Sequence, residues 1–227
     1  PATGAAAPRR CGGASSSTSC WPERTPCVAA SPEQPGLLPL LAGRPEEVAP
    51  LLLGAVLRHG DVALRLTEVE AYAGEDDPGS HAYRGPTPRT EVMFGPAGRL
   101  YTYFSYGMHV CANVVVGEEG TAAAVLLRAG EVVEGRDIVR QRRPRSSERD
   151  LARGPARLCQ ALDITLEHGG ADLGTGPVTI EPGPVPPRWE SGPRVGLRQA
   201  AGRPWRFWLP GEPSVSAYRP AAPRPRP

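Results

Sequence analysis

The chain of 227 residues contains no lysine, so all 26 of its basic side chains are arginines. A GC-rich genome would explain much of this bias, but the bias has a chemical consequence in either case. Schiff-base catalysis needs an amine, and in this chain only the N-terminal amine could supply one. Reactions that depend on a lysine nucleophile are therefore excluded.

Long apolar runs are also missing from the sequence. No run approaches the roughly 20 residues that a membrane-spanning helix needs, and residues 1–34 lack the continuous apolar stretch of a signal peptide. We therefore expect a cytoplasmic, intracellular protein that does not associate with membranes.

The cysteines and histidines do not form a metal-binding pattern. Five cysteines are present without a C-x-x-C pair, and the four histidines have no metal-ligand spacing. We expect neither a zinc site nor a disulfide framework, and no metal or other cofactor.

Composition divides the chain into three parts. Residues 1–34 are poor in large apolar side chains, which predicts a disordered tail, and residues 217–227 form a Pro/Arg-rich tail. Between them, residues 35–216 are long enough for one domain with a sizeable core. Strand patterns dominate this domain with helices interspersed, which predicts the α+β class with a mixed or antiparallel sheet.

The periodicity of apolar residues locates the main elements. After Pro45, near-helical spacing of apolar residues predicts a helix reaching Val56 and Leu57, and alternation over residues 61–74 predicts a strand. Residues 74–98 are rich in Gly and Pro and predict a long functional loop. Further strands and one short helix are predicted in "RLYTYFSYGMHVCANVVVG" (two strands meeting near Gly107), "TAAAVLLRAGEVV", "GPARLCQALDI" (the helix), "GPVTIEPG" and "RPWRFWLPG".

Aromatic residues make up only 6% of the chain, yet four lie within six positions of "LYTYFSYGMHV", residues 100–110. Three of the four are tyrosines, whose hydroxyl groups need partners when they are buried. Two interpretations remain open from this segment alone. It is either a core strand or a platform for a flat ligand.

The strand motif "TEVEAY" sets Glu68, Glu70 and Tyr72 two residues apart, so all three point to one face of an extended strand. Two carboxylates about 7 Å apart hinder each other's ionisation, which suits a general base. The alternative is a solvated strand face whose charges pair with arginines.

Four segments resemble the 3-methyladenine (alkyladenine) DNA glycosylase family, in order from Pro35 to Ser216. They are "EVEAYAGEDDPGSHAYRGPTPRTEVMFGPAGRLYTYFSYGMHVCANVV", "AVLLRAGEVVEG", "ARGPARLCQALDI" and "RVGLRQAAGRPWRFWLPGEPSVS". The resemblance implies one compact domain with a curved sheet and a protruding β-hairpin. It also implies an enzyme that flips alkylated or deaminated purines out of duplex DNA and hydrolyses the N-glycosidic bond. The bases would be 3-methyladenine and 7-methylguanine. Hypoxanthine is a further candidate, which the sequence supports less.

By this resemblance, Glu70 is the general base that activates the attacking water. Arg128 and the backbone carbonyl of Val195 match the positions that hold this water. Arg128 also favours the ionised form of Glu70, since an opposite charge lies nearby. Glu68 is then a structural neighbour.

The resemblance also assigns the base pocket. Tyr72, His81 and Tyr103 would contact the flipped base, and aromatic faces attract a cationic purine. Asn113 matches the asparagine that crowds the 2-amino group of guanine and so excludes the normal base.

Other positions are expected to contact DNA. Tyr106 is assigned as the wedge that fills the space left by the flipped nucleotide, with Gly107 allowing the turn beside it. Met108 and Arg89 are further candidates. The arginine-rich segment 136–157 either contacts phosphates or is an ordinary solvated loop.

Together these features predict a monomer that acts on double-stranded DNA containing damaged purines and leaves an abasic site. Because a lyase step needs an amine, the absence of lysine predicts a monofunctional enzyme. Two rival functions remain open, a nucleic-acid-binding module without chemistry and an unrelated hydrolase that uses Glu68 and Glu70 as acid and base.

Overall fold

A computed structural model describes residues 36–105, 107–184 and 186–222. The predicted tail of residues 1–34 and the last five residues of the chain lie outside this range, so the tail boundaries stay a prediction. The helices are α1 (Leu37–Leu41), α2 (Pro45–Val48), α3 (Arg136–Arg142) and α4 (Pro155–Leu162). The strands are β1 (Val56–His59), β2 (Val62–Tyr72), β3 (Leu100–Ser105), β4 (His109–Val115), β5 (Ala124–Glu134), β6 (Val178–Glu181), β7 (Glu190–Gly192) and β8 (Arg206–Trp208).

All described strand pairs are antiparallel, and the main path of the sheet runs β3-β4-β5-β2-β1-β6. Strand β8 pairs with both β2 and β7. The described helices and the sheet belong to one compact unit, so the predicted α+β class is confirmed, with the antiparallel form of the sheet.

Strand β2 is the central element of the sheet. It pairs with β5 along its length and with β8 over Glu68–Glu70, and the pairing with β5 shifts register on both sides of Glu68. Such shifts are β-bulges, which re-aim side chains locally. Residues 66–71 are all buried, and the charged residues of this stretch must therefore find partners inside the protein.

Apolar packing holds the loop of residues 74–98 against the sheet. A small core cluster joins Ala82 and Met93 of this loop to Tyr101 of β3, Val115 of β4 and Ala124 of β5. The main core lies elsewhere and includes the apolar face of α4, whose Leu158 and Leu162 are fully buried. The smaller cluster fixes the loop next to the hairpin of β3 and β4.

The predicted helix over residues 45–57 was wrong in its second half. Helix α2 ends at Val48, a 3₁₀ turn follows over Ala49–Leu52, and Val56 and Leu57 lie in β1. Two residues prevent the helix from continuing. Pro50 has no backbone N–H to donate, and Gly54 adopts a left-handed conformation with φ of 84°.

The strands predicted to meet near Gly107 are β3 and β4, with Gly107 in the turn between them. Gly107 has a φ of 67°, a conformation that other residues rarely adopt. Tyr106 lies outside the described residues.

Strand β7 and helix α3 were not predicted. Within the described residues, every helix is too short or too polar to cross a membrane.

The strand assignment of Leu57 is testable by mutation. Leu57 is fully buried between β2 and β6, so Leu57→Ala should lower the free energy of unfolding by about 2–5 kcal/mol. The next residue, Arg58, forms an exposed ion pair with Glu134, and Arg58→Ala should cost less than about 1 kcal/mol. Urea denaturation measures both, and equal losses would contradict the strand assignment.

Candidate functional site

A cavity of about 540 Å³ lies between the loop of residues 74–98, the β3–β4 hairpin and the segment that follows β7. Its volume falls within the range of about 300–1,000 Å³ typical of small-molecule sites. The lining residues that bear on function are Tyr72, His81, Arg89, Tyr101, Tyr103, Cys111, Asn113, Arg128 and Val195. The structure therefore gathers most of the predicted site residues around one cavity.

The Glu70 carboxylate is fully buried directly behind the wall of this cavity. Its Oε1 accepts a 2.7 Å hydrogen bond from the backbone N–H of Val195. Its Oε2 accepts from the Tyr72 hydroxyl at 2.9 Å and from Arg128 Nη1 at 3.3 Å. All three donors line the cavity. Val195 was predicted to act through its carbonyl, whereas this contact uses its N–H.

Arg128 joins the two carboxylates of β2. Its Nε donates to Glu68 Oε1 at 2.7 Å, while Nη1 reaches Glu70. The two carboxylates raise the pKa of Arg128 despite its burial, so the guanidinium remains charged. The predicted pairing with arginine is therefore present, but the alternative of a solvated strand face is wrong because both carboxylates are fully buried.

Glu68 is bound on both oxygens and lies away from the cavity lining. Oε1 accepts from Arg128, from Arg206 Nε at 2.7 Å and from the Ser216 hydroxyl at 2.8 Å, and Oε2 accepts from the Ser216 N–H at 2.6 Å. Burial alone would raise the pKa of Glu68, but the charges of Arg128 and Arg206 outweigh burial and lower this pKa. These contacts match a structural role.

Aromatic rings form one wall of the cavity. The centroids of His81 and Tyr103 lie 4.5 Å apart with the rings nearly perpendicular, and Tyr101 stacks beside Tyr103 at 5.6 Å. The Tyr101 hydroxyl, 3.2 Å from His81 Nδ1, is thereby satisfied. Tyr101 of segment 100–110 is thus a buried core residue that also lines the cavity, and the interpretation as a platform for a flat ligand stays a prediction.

His81 lines the cavity while remaining partly exposed to solvent. Partial burial of its ring, together with the positive charge of Arg89, lowers the pKa of His81 to about 4. The imidazole is therefore neutral near pH 7. Arg89 Nη2 lies 3.5 Å from His81 Nε2, and its guanidinium carbon lies 5.2 Å from the centre of the Tyr103 ring.

Asn113 is buried in β4 directly opposite Tyr101 of β3. Its Nδ2 donates a 3.0 Å hydrogen bond to the Tyr101 carbonyl. This bond fixes the amide plane, and because the two amide atoms diverge from the same carbon, Oδ1 points away from that carbonyl.

The hairpin presents exposed apolar groups beside the cavity. Phe104 is 52% exposed and lines the cavity, while Met108 is 69% exposed. Their position next to the turn at Gly107 agrees with the expectation that this end of the hairpin contacts DNA, which stays a prediction.

Most arginines of segment 136–157 bind groups within the protein. Arg136 and Arg140 pair with Glu148, and Arg157 pairs with Asp150. Arg142 donates to the Ala161 carbonyl at the end of α4. These contacts connect α3, the following turn and α4. Whether the segment also meets phosphates is an open prediction.

Two functional candidates were missed by sequence reasoning, Asp77 and Arg194. They form a fully buried ion pair beside Tyr72. Nothing in the sequence could pair two residues 117 positions apart. Among the residues that the structure describes, no three His, Cys, Asp or Glu side chains are arranged to hold a metal ion.

A sequence model described as "Methylpurine-DNA glycosylase (MPG)" matches residues 40–213. The chain belongs to the methylpurine-DNA glycosylase family. Proteins named "Putative 3-methyladenine DNA glycosylase" are similar over most of their length. That of Frankia casuarinae is 58% identical over 193 residues, covering 79% of this chain and 90% of the relative. That of Leifsonia xyli subsp. xyli is 56% identical over 199 residues (82% and 93%), and that of Streptomyces avermitilis is 49% identical over 211 residues (88% and 99%).

Membership of the methylpurine-DNA glycosylase family confirms the resemblance seen in the sequence. It makes the protein a DNA glycosylase, a hydrolase of DNA repair whose substrate is DNA.

The structural role assigned to Glu68 predicts a loss of stability when its charge is removed. Glu68→Gln should lower the free energy of unfolding at pH 7 by about 3–5 kcal/mol, because Arg128 and Arg206 lose their buried partner. Since the pKa of Glu68 is lowered in the folded state, its contribution is present above about pH 4.5 and is lost as the pH falls below that value. The difference from wild type should shrink accordingly.

Urea denaturation at pH 7 and at steps below about pH 4.5 measures this effect. Glu134→Gln is the control, because Glu134 is an exposed carboxylate paired with Arg58 and its loss should cost less than about 1 kcal/mol. A pH-independent difference between Glu68→Gln and wild type would contradict the role of the ionised carboxylate.

Proposed function

We propose that this protein is a monofunctional DNA-3-methyladenine glycosylase. It flips an alkylated or deaminated purine from duplex DNA into the 540 Å³ cavity and hydrolyses the N-glycosidic bond to leave an abasic site. The observation that carries the proposal is the Glu70 carboxylate, held at the cavity wall by Tyr72, Arg128 and Val195. The enzyme acts as a monomer without a cofactor.

Glu70 serves as the general base in this proposal. Every contact to its oxygens is donated to it, as an ionised carboxylate requires. A water molecule next to Glu70 attacks C1′ of the flipped nucleotide and gives a proton to the carboxylate. The new C1′–O bond replaces the C1′–N bond, whose electron pair leaves with the purine. A cationic purine leaves as a neutral base.

Selection of the base rests on the aromatic wall and on charge. Tyr72, His81 and Tyr103 offer π-faces and edges to a flat purine, and π-faces favour a cationic one. The low pKa of His81 supports this choice, because a neutral imidazole does not repel a positive base. Hypoxanthine is neutral and must be bound without this advantage, so its release should be slower.

Contacts to DNA are assigned to the hairpin and to the rim of the cavity. Tyr106 is the proposed wedge, on the basis of the family resemblance, and it lies outside the described residues. The left-handed Gly107 and the exposed Met108 directly follow the proposed wedge residue in the chain. Arg89, exposed at the rim, is proposed to bind a phosphate near the flipped nucleotide.

No lyase step is proposed, because the chain has no lysine to form a Schiff base with the sugar. As an enzyme acting on chromosomal DNA, the protein would be cytoplasmic and associated with the nucleoid.

The test of the proposal is base release from duplex DNA carrying 3-methyladenine, 7-methylguanine or hypoxanthine. Wild-type protein should release the free base and leave the strand intact until alkali is added. Glu70→Gln should keep DNA binding but lose at least about 100-fold in release, since general-base catalysis contributes about 10²–10⁴-fold. Single-turnover assays measure the release, and gel shifts measure the binding.

The matched control is Glu131→Gln, the same change on an exposed carboxylate of β5 that pairs with Arg65. It should release bases at the wild-type rate. Tight binding of lesion DNA without release would support a binding module instead. Equal turnover by Glu70→Gln would remove the role of Glu70, and strand cleavage without alkali would contradict monofunctional chemistry.

Exclusion of guanine is assigned to Asn113, whose amide is held rigidly by the Tyr101 carbonyl. Asn113→Ser should admit normal guanine, because a clash or unpaired polar group of about 1–3 kcal/mol is removed. Guanine release from undamaged duplex, measured by chromatography, should rise about 10-fold or more, because this is the change in rate that such a free energy produces. Release of 3-methyladenine, which has no 2-amino group, serves as the control for folding, and guanine release at background would refute the gate.

A further inference from the structure

Arg194 is fully buried, and each of its contacts joins a different part of the site. Both terminal nitrogens donate to the Asp77 carboxylate, with Nη2 at 2.8 Å from Oδ1. Nη1 also donates to the Ala71 carbonyl at 2.9 Å. Asp77 is equally buried, and although burial would raise its pKa, the bonds and charge of Arg194 hold that pKa below its ordinary value.

The Arg194 guanidinium lies between two aromatic rings. Its central carbon is 4.6 Å from the centre of the Tyr72 ring and 5.3 Å from that of Trp205. The guanidinium of Arg203 follows at 4.5 Å from the Trp205 ring. Arg194 and Arg203 therefore each place a guanidinium over the Trp205 ring. A planar guanidinium stacked in this way restrains the ring plane of Tyr72.

The same side chain connects the loop that carries His81. Asp77 accepts the Gly79 N–H at 3.0 Å, and a Cβ at Gly79 would lie 2.9 Å from Arg194 Nη2 and 2.8 Å from Leu197. The loop therefore packs closely on the guanidinium, and a side chain at position 79 would have to displace Arg194 Nη2 and Leu197. Gly79 itself lines the cavity.

The backbone completes the connection to the proposed general base. Arg194 is followed by Val195, whose N–H donates to Glu70 Oε1. Ala71, which accepts from Arg194, lies in β2 between Glu70 and Tyr72. A shift of the guanidinium would therefore be transmitted to the Val195 N–H and to the Tyr72 hydroxyl, two of the three donors that hold Glu70.

We propose that Arg194, locked by Asp77, is the positioning residue of the reaction. It aligns the Tyr72 ring and the Val195 N–H, and through them it sets the position of the Glu70 carboxylate relative to the flipped base. It does not line the cavity and acts through these groups. The proposal rests on the proposed function, because positioning is meaningful only if Glu70 drives base release.

Two substitutions keep polar side chains at these positions but disrupt the contacts between Arg194 and Asp77. Arg194→Lys retains the charge but loses the planar fork that binds Asp77 and Ala71 together and stacks between two rings. Asp77→Asn retains the shape but loses one charge of the pair. Val178→Ala is the control, since Val178 is a fully buried core residue of β6 that lies outside the cavity lining.

The readout is single-turnover release of 7-methylguanine from duplex DNA, well below the melting temperature of each variant. Its amplitude reports the folded fraction and its rate constant reports the chemistry. In Arg194→Lys and Asp77→Asn the rate constant should fall about 10-fold or more at full amplitude, because small misplacements of reacting groups cost up to about 10²-fold. The dissociation constant for lesion DNA should stay within about twofold, as no contact to DNA is removed.

A purely structural role gives a different result. Val178→Ala should lose melting temperature yet release base at the wild-type rate constant. If Arg194→Lys loses amplitude but keeps its rate constant, the inference is overturned. Should Arg194→Lys fail to fold, an unchanged rate constant in Asp77→Asn overturns it equally. If wild-type protein releases no base from any lesion, the proposed function fails first, which is a distinct outcome.

Discussion

The buried bridge of Glu68, Arg128 and Glu70 is the constraint on which the rest of the site depends. Two carboxylates on one strand face, both removed from water, would repel each other if no cation lay between them. Arg128 occupies that place from the neighbouring strand. Arg206 and Ser216 then saturate Glu68, so that its role is fixed as structural. Glu70, by contrast, is held only by groups that line the cavity.

Aromatic residues are scarce in this chain, yet several of them gather around the cavity. A chain that is 6% aromatic places Tyr72, Tyr101 and Tyr103 around one space, together with His81. Two of the tyrosine hydroxyl groups also make contacts with other residues of the site. Tyr72 holds Glu70 and Tyr101 lies within hydrogen-bonding distance of His81, so these cavity-lining tyrosines also help to position Glu70 and His81.

Arginine takes the place of lysine throughout this protein, and the planar shape of its guanidinium matters as well as its charge. Arg128 bridges two carboxylates with separate nitrogens, and Arg194 binds Asp77 while stacking between two rings. A lysine ammonium is a compact point charge that cannot do both. The arginines of segment 136–157 mostly connect α3 to its neighbours.

The sequence by itself determined the α+β class, the long strand of Glu68–Tyr72 and the hairpin at Gly107, because alternation and glycine conformation are local properties. The family motifs also named Glu70, Arg128 and Val195. Only the tertiary structure decided that Val56 and Leu57 form a strand, since pairing with β2 outweighs helical spacing. It alone revealed that Arg194 lies between Tyr72 and Trp205 and binds Asp77, because contacts between distant segments leave no trace in local periodicity.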